Sequence, residues 1–388
     1  MSALPVVPSP PARDGLADVR VVHVITSLTT GGAERQLELL VGRSSATSLT
    51  VALYEGGPVA DSMVAAGHRV RVLGMDGWRK LVAPLRLALL LRRLRPDVVH
   101  VHLLSAQLWG IPAARLARVP VVVSSEHSLM DDTIEGRPHT WWLRRLYRLL
   151  ERATTTTVAV SATTADRLRR WGVPAERIVV SDNGIDFDAL AFDDVARHRV
   201  RAELGLGRTD RVIAVVGRLD PVKRVDVVLR ALAPMLRDGL VLVVAGTGSR
   251  AAELRRLADD LGIDRHVRWL GARGDMAAVL SAADVLVSTS ADETFGMAVV
   301  EAVGNGLPVA YVEAPALDEL TDLPDSVEHL PAPQGARADE ESVRDAVRRL
   351  LTRPRRPGAP AALVERYGAD GAAQRLDDLY ATLLRRRG

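Results

Sequence analysis

The sequence contains no cysteine, which excludes a disulfide framework and thiolate chemistry. It has no window of 18 consecutive apolar residues, so we expect no helix that spans a membrane. Residues 1–17 are rich in proline and small side chains and lack the charged start and apolar run of a secretory signal, which predicts a disordered tail. Together these absences favour a cytoplasmic protein.

An excess of charge of one sign is also missing. The net charge is only +3, which gives no general case for a nucleic-acid partner. A hydrophobic content of 47% with 26% charged residues is typical of a folded chain rather than a disordered one. At 388 residues the chain is long enough for two domains, each with its own core.

Short Val-rich runs alternate with longer helical segments along the chain. The predicted strands are 19–25, 50–53, 69–73, 98–101, 121–124, 156–160, 178–180, 212–216, 240–244, 267–270, 285–288 and 308–311. Near-continuous apolar runs that alternate with helices predict parallel sheets covered on both faces, hence a doubly wound α/β fold. The series restarts at Val212, so we infer two Rossmann-like domains.

The domain boundary is predicted from the absence of a strand pattern in residues 187–210. The first domain is expected over residues 18–190 and the second over 208–370, while residues 371–388 form one amphipathic helix. Open α/β sheets bind ligands beyond the carboxyl ends of their strands. Two such domains facing each other would form a cleft between them.

Two carboxylates, Glu293 and Glu301, are spaced around a predicted helix start. Glu293 follows the strand at 285–288, and Glu301 falls in the second helical turn. The N–H groups at the helix start and the helix dipole suit an anionic ligand, while a carboxylate beside it can accept hydrogen bonds from hydroxyls. Phosphate with hydroxyls indicates a sugar nucleotide. The alternative is a capping acid followed by a solvated helix residue.

A second candidate site contains Arg218 and Lys223, just after the strand at 212–216. Lysine occurs only at Lys80 and Lys223, so a lysine directly after a strand end indicates a role beyond that of a solubilising surface charge. The guanidinium of Arg218 and the ammonium of Lys223 can converge on one diphosphate. The alternative is an exposed basic loop beside a helix start.

These motifs resemble those of the family 4 glycosyltransferases, a retaining, metal-independent family with the GT-B fold. The resemblance spans nearly the whole chain, from the strand at 19–25 to the helix near Leu383. It implies that Glu293 contacts the hydroxyls of the donor sugar, that Glu301 contacts the ribose, and that Arg218 and Lys223 hold the diphosphate. It further implies that the first domain binds the acceptor, that the second binds the nucleotide-sugar, and that the last helix crosses back to the first domain.

The departing diphosphate needs positive charge. Backbone N–H groups near Phe295, Gly296 and Met297, with Arg218 and Lys223, can supply it without a metal ion. An Asp-x-Asp metal pattern occurs at 186–188, but it follows an apparent domain-connecting turn and carries little weight. No metal and no cofactor are expected, because the nucleotide-sugar is itself a substrate.

Three further residues are candidates in loops that follow strands. His127 lies beyond the strand at 121–124, and the resemblance implies that it approaches the donor sugar and the reacting centre. Gly32 resembles part of the family's glycine-rich loop, where donor phosphate or acceptor comes close to the backbone. Gly246 belongs to a fragment of a dinucleotide fingerprint that lacks its final glycine, so it is expected to border the nucleotide of the donor.

Two arginine-rich stretches, 81–95 and 137–152, have leucine and tryptophan at helical intervals. Trp142, Leu146 and Leu149 would oppose Arg144, Arg148 and Arg152 on one helix. Such a helix can lie peripherally on the inner face of an anionic membrane. It can equally pack on its own domain with its arginines in water, and we favour that reading.

The sequence predicts a retaining transferase that moves a hexose or N-acetylhexosamine from a nucleotide-sugar, a UDP-sugar in the first instance, to a saccharide, either free or lipid-linked. A soluble acceptor such as an aminocyclitol or a natural-product aglycone is nearly as well supported. From other classes come a nucleotide-sugar epimerase on the same fold and a binding protein that has lost catalysis.

Overall fold

The computed structural model describes residue 16 and residues 18–77, 79–356 and 358–386. The chain divides into two compact units. Unit 1 comprises residues up to Gly184 together with those from Tyr367, and unit 2 comprises Ile185–Arg366. The tail predicted for residues 1–17 lies outside the described residues, apart from residue 16.

Unit 1 is built on a parallel sheet with the strand order β3-β2-β1-β4-β5-β8-β9, and β6 pairs with β7 in a separate small hairpin. Its strands are β1 (Arg20–Ile25), β2 (Thr47–Ala52), β3 (Val70–Val72), β4 (Val98–His102), β5 (Val121–Glu126), β6 (Thr133–Ile134), β7 (Arg137–Pro138), β8 (Thr156–Ala159) and β9 (Ile178–Val180). Its first helices are α1 (Gly32–Arg43), α2 (Pro58–Ala65), α3 (Arg79–Leu94), α4 (Leu104–Leu116), α5 (Trp141–Arg152) and α6 (Ala162–Trp171). Helices α3, α4 and α5 pack on one face of the sheet.

Unit 2 contains a second parallel sheet, with the order β12-β11-β10-β13-β14-β15. Its strands are β10 (Arg211–Val216), β11 (Leu240–Ala245), β12 (Val267–Gly271), β13 (Val285–Ser288), β14 (Val309–Tyr311) and β15 (Val327–His329). Its helices are α7 (Asp194–Glu203), α8 (Val225–Leu232), α9 (Ala251–Asp260), α10 (Met276–Ala282), α11 (Met297–Gly304), α12 (Pro315–Asp318), α13 (Ala336–Leu350) and α14 (Ala361–Tyr367), the last of which ends at the unit boundary.

The predicted doubly wound α/β class is confirmed, and each of the predicted strands is present with small shifts at its ends. Strands β6, β7 and β15 were not predicted. The first two have only two residues each, and β15 has a single apolar residue, Val327, so none of them shows the apolar run that marks the other strands. The stretch 137–152 is helical only from Trp141, since its first two residues form β7.

The division between the units falls at Gly184, earlier than residues 187–210 predict. That segment is part of unit 2, because it contains α7, which packs on α10. The Arg197 guanidinium donates to Asp284 Oδ1 at 2.7 Å, and Val200 is buried against Ala278. Charged residues cover much of α7, so its short apolar contact was not visible as a pattern.

The final helix, α15 (Ala369–Arg385), belongs to unit 1. It begins slightly before the predicted residue 371, and residues 387–388 lie outside the described part of the chain. Asp377 accepts hydrogen bonds from the hydroxyl of Ser44 at 2.6 Å and from the backbone N–H of Ser45 at 2.8 Å, at the end of α1. Tyr380 is buried against the sheet. These contacts attach the chain's end to the first sheet.

Candidate functional site

In unit 2, β10 and β13 are neighbours. Strands β11 and β12 are added on one side of this pair and β14 and β15 on the other, so the order of the strands reverses here, and we call this place the reversal point. Ligands of open α/β sheets bind beyond the carboxyl ends of the strands at such a point. The chain leaves β10 through the short 3-10 turn Pro221–Lys223 and leaves β13 through the loop that precedes α11. The candidate residues Lys223 and Glu293 lie on these two connections.

Lys223 and Glu293 form an ion pair, in which the Lys223 ammonium donates to Glu293 Oε1 at 2.5 Å. Both side chains are mostly shielded, at 21% and 12% exposure. The hydroxyl of Thr289, which follows β13, donates to the carbonyl of Lys223 at 3.0 Å and to that of Arg224 at 2.9 Å. The two loops are therefore held to each other by hydrogen bonds from a side-chain hydroxyl to backbone carbonyls as well as by charge.

Arg218 lies further out, with a side chain 65% exposed and 3.1 Å from Asp220 Oδ2. Burial alone would raise the pKa of Asp220, but hydrogen bonds from Ser249 and the charges of Arg218 and Lys223 lower it. Both predicted cations therefore act on one carboxylate. The loop after β10 carries a concentration of positive charge that an anion could also use.

Helix α11 begins at Met297, and Glu301 lies in its second turn, half-buried. Phe295 is 1% exposed, so its ring belongs to the core, and its expected contact with the donor stays a prediction. Gly296 has a φ of +89°, and a Cβ there would lie 2.6 Å from the Cβ of Ala314. A glycine is thus required for this approach to the helix start.

Gly246 has a structural explanation of its own. Its φ is +151°, and a Cβ at this position would lie 1.8 Å from the carbonyl oxygen of Gly217. The glycine lets the loops that follow β10 and β11 touch at the edge of the sheet. Its expected contact with the nucleotide stays a prediction.

In unit 1, Gly32 is the first residue of α1, and no atom lies within 4 Å of where its Cβ would be. Packing does not require a glycine there. His127 follows β5, and burial lowers its pKa to about 4. Its Nε2 lies 3.4 Å from Nδ1 of His102. His127 is therefore a neutral imidazole at pH 7.

A cluster of buried histidines was missed from the sequence. His23 on β1 and His100 and His102 on β4 are each at most 2% exposed. Nδ1 of His100 lies 2.7 Å from the Tyr380 hydroxyl and its Nε2 lies 2.7 Å from the Ser125 hydroxyl. The signal was present as polar residues at alternate positions of otherwise apolar strands, which places them on one face.

The ring nitrogens of His23, His100 and His102 lie within 4.8 Å of one another, a spacing that could suit a metal ion. Both nitrogens of His100 already have hydrogen-bond partners, and no carboxylate belongs to the group to offset a divalent charge. The contacts therefore fit a hydrogen-bonded network of neutral rings better than a metal centre.

Beside these histidines lies a small cavity of about 20 Å³. His102, His127, Ser181 and Gln36 are among the residues that line it. Gln36 is 2% exposed, and neither polar atom of its amide has a hydrogen-bond partner in the structure. A volume of this size accommodates about one water molecule or one hydroxyl group.

Glu126 precedes His127 and is fully buried. It accepts hydrogen bonds from the Tyr147 hydroxyl at 3.0 Å and from the Ser128 backbone N–H at 2.9 Å. Burial raises the pKa of Glu126 to about 7, against the opposing effect of these hydrogen bonds. Near neutral pH this carboxyl is partly protonated, so the residue next to His127 carries less than a full negative charge.

Solved structures share this architecture. HepE from Anabaena, determined in complex with UDP and glucose, matches with a TM-score of 0.80 over 94% of this chain and 100% of that chain, at 20% identity. Sucrose-phosphate synthase from Thermosynechococcus elongatus matches with a TM-score of 0.68 over 95% of this chain and 100% of that chain, at 17% identity. At such identities the likeness shows the fold alone. The fold is GT-B, with two Rossmann-like domains.

Matches to family models and to curated relatives add information beyond the fold. The model described as Glycosyltransferase Family 4 matches residues 30–189, and the model described as Glycosyl transferases group 1 matches residues 196–326. D-inositol 3-phosphate glycosyltransferase from Corynebacterium aurimucosum is 33% identical over 55% of this chain and 54% of its own length. The enzyme of that name from Saccharomonospora viridis is 32% identical over 66% of this chain and 62% of its own length.

The chain spans about half the length of the first of these relatives. The two family models follow one another along most of the chain. Most of the chain is therefore similar to glycosyltransferases, and its residues 30–189 match family 4 of these enzymes.

Proposed function

We propose that this protein is a retaining glycosyltransferase that moves a hexose or N-acetylhexosamine from a nucleotide-sugar to an acceptor hydroxyl without a metal ion. The observation that carries this proposal is the Lys223–Glu293 pair at the reversal point of the unit 2 sheet. This pair places a cation that can bind phosphate next to a carboxylate that can accept hydrogen bonds from sugar hydroxyls. The matches to the two glycosyltransferase family models support the reaction class.

The diphosphate of the donor competes with Glu293 for the Lys223 ammonium. As Lys223 turns to phosphate, oxygens of Glu293 are released to accept hydrogen bonds from the sugar. Arg218, largely exposed, adds a second cation, and backbone N–H groups near Gly296 and Met297 add dipoles. Glu301 on α11 would contact the ribose. The charge that develops on the leaving diphosphate thus meets donors already in place.

The bonds made and broken balance without a protein base. The bond from the anomeric carbon to the phosphate oxygen breaks, and the acceptor oxygen bonds to that carbon from the same face. The acceptor's proton passes to the leaving phosphate. His127 is neutral at pH 7, so it would bind sugar or acceptor as a hydrogen-bonding group rather than as an acid.

A UDP-sugar is the proposed donor, because HepE, which has the same fold, binds UDP and glucose. For the acceptor, the relatives named D-inositol 3-phosphate glycosyltransferase favour a small soluble polyol over the saccharide predicted from sequence. A lipid-linked saccharide remains the second candidate, because unit 1 carries an exposed face suited to membrane contact.

That face lies on α3, α4 and α5. Within the sequences of these three helices Glu151 is the only acid, and it is buried. On α5, Trp141 is 76% exposed, Trp142 53% and Leu149 61%. The predicted apolar face of this helix was wrong, since α5 buries Leu143, Tyr147 and Leu150 instead and leaves two tryptophans among its arginines.

Tryptophan and arginine on one surface suit an anionic lipid interface. Within the described parts of the chain, no helix has both the length and the apolar character needed to cross a bilayer. We therefore expect peripheral contact, with co-sedimentation on phosphatidylglycerol vesicles that falls with salt and is lost in the double variant Trp141→Ser, Trp142→Ser. Val195→Ser, at an equally exposed position of unit 2, should still sediment. Equal sedimentation of the parent protein, the double variant and Val195→Ser would rule out membrane binding through this surface.

Incubation with UDP-, GDP- and ADP-sugars, each with and without acceptor, tests the function. We expect transfer from a UDP-sugar to inositol phosphate or to a saccharide, and slow hydrolysis with donor alone. Retention is read from the anomeric configuration of the product. Conversion of the donor to its epimer without acceptor would identify the alternative enzyme class, and an inverted product would contradict the proposed stereochemistry.

A further inference from the structure

Three histidine rings form a line across the reversal point of the unit 1 sheet, where β1 and β4 are neighbours. His23 Nδ1 lies 3.2 Å from His102 Nε2, and His102 Nδ1 lies 3.4 Å from His127 Nε2. His102 thus uses both ring nitrogens to join a residue deep in the sheet to the candidate site residue at its edge.

Burial lowers the pKa of His23 and His127 to about 4 and that of His102 well below its usual value. Each neutral ring has one N–H and one lone pair, so a line of such rings must alternate donor and acceptor. Only two orders satisfy both the His23–His102 and the His102–His127 contacts. In one, His127 accepts at Nε2 and carries its proton on Nδ1, while in the other it donates from Nε2 and has a lone pair on Nδ1.

We propose that His23 and His102 are positioning residues that hold His127 in one ring orientation and one tautomer. This inference rests on the proposed function only where it concerns turnover, since the tautomer of His127 exists in the free protein. The consequence for a sugar or acceptor is direct, because the tautomer decides whether His127 Nδ1 offers a donor or an acceptor.

His100 supplies the matched control. It is buried like His23, lies opposite it in the β1–β4 register, and stacks on His102 with ring centroids 4.1 Å apart. Its nitrogens, however, contact Tyr380 and Ser125 rather than the line of rings. Loss of His100 removes comparable packing without removing a link to His127.

The test compares His23→Phe with His100→Phe, using nitrogen chemical shifts of ¹⁵N-labelled histidine to read the tautomer of His127. We expect one dominant tautomer in the parent protein and in His100→Phe, and a mixture in His23→Phe. His23→Asn places an amide where Nδ1 was and should restore much of the preference. If His23→Phe does not fold, the smaller His23→Val removes the same contact with His102 in a Val-rich strand and should give the same mixture of tautomers.

Turnover provides the second readout. We expect His23→Phe to lower kcat roughly tenfold, as loss of a supporting hydrogen bond does at other sites, with little change in the KM for donor. An unchanged tautomer in both histidine variants would overturn the inference, even if both were less stable. Altered tautomers in a protein without any transfer activity would support the positioning role while contradicting the proposed function.

Discussion

Units 1 and 2 build the same kind of sheet, with the reversal point between the first and fourth strands of each, and equip that point with different chemistry. In unit 1 the strands carry buried neutral imidazoles such as His23 and His102. In unit 2 the connections carry the Lys223–Glu293 ion pair. One type of sheet therefore carries neutral hydrogen-bonding groups in unit 1 and opposite charges in unit 2.

The pKa shifts follow the same contrast. In unit 1, burial raises the pKa of Glu126 and lowers that of His127, so each shift favours a neutral form. In unit 2, hydrogen bonds from Arg230 and Arg250 lower the pKa of Asp226 although burial opposes them. From this contrast we expect different responses of the two units to acid, to removal of a charge and to small substitutions.

The largest expected effect is loss of unit 1 in mild acid. The folded-state pKa of His23 and His127 is about 4 against 6.5 for the free side chain. Stability from these groups is therefore complete above pH 6.5 and lost as pH falls toward 4, by about 3 kcal/mol each. The raised pKa of Glu126 acts in the opposite direction and offsets about one such loss, while the lowered pKa values of His100 and His102 add to the losses. The lowered aspartate pKa values of unit 2 cost stability only below 3.8, the value of a free aspartate.

Pepsin digestion at pH 4.5 with mass spectrometry should then release fragments of unit 1 while unit 2 persists. The same digestion with a neutral protease at pH 7 provides the control and should show no such order. Simultaneous cleavage of both units at pH 4.5 would contradict the electrostatic contrast.

The next effect concerns the charge in unit 2. Lys223→Ala should lower turnover at saturating donor about a hundredfold, since removal of one preorganised donor costs ~3 kcal/mol in the transition state. The fold should stay intact. Arg337→Ala removes a cation that is 93% exposed in the same unit and should leave turnover unchanged. A near-normal rate for Lys223→Ala would refute its assigned role.

A smaller effect is expected at Glu126, whose folded-state pKa of about 7 lies above its ordinary 4.5. Its favourable contribution is present below pH 4.5 and lost as pH rises through 7, because the folded state must then bury a charge. Glu126→Gln should raise Tm by a few degrees at pH 8 and leave it nearly unchanged at pH 5. The exposed Glu176→Gln serves as control, and an equal shift at both pH values would show that burial of charge is not the cause.

The smallest effect on stability is expected for Gly32→Ala, because open space surrounds the position of the new Cβ. If donor or acceptor approaches this backbone as the resemblance implies, kcat/KM should fall several-fold while Tm is unchanged. Thermal melting and steady-state kinetics on one preparation separate an effect on stability from an effect on turnover. Unchanged kinetics would remove Gly32 from the site.

Much of unit 2 could be predicted from sequence, because Val-rich strands and a helix start at Met297 are local patterns. The spacing marked Lys223 and Glu293 as separate candidates. Their ion pair joins residues 70 positions apart in the sequence. It forms because the strand order makes β10 and β13 neighbours, and the periodicity of the sequence does not reveal the strand order. Contacts between distant residues of this kind cannot be predicted from local sequence patterns.

Unit 1 was less predictable for the same reason. His23 and His102 come together through β1 and β4, and each alone looks like an isolated polar residue in an apolar strand. The face of α5 that the sequence predicted to be apolar was wrong. The Tyr147 hydroxyl points inward and donates to Glu126, which leaves Trp142 on the exposed side of the helix. A tertiary hydrogen bond decided the face that the helix buries.

The most direct test of the central account is hydrogen exchange of the whole protein with and without UDP. A diphosphate held at the reversal point of unit 2 should slow exchange in segments 215–224 and 291–300, around Lys223 and the start of α11. Protection confined to unit 1, with those two segments unchanged at saturating UDP, would contradict it.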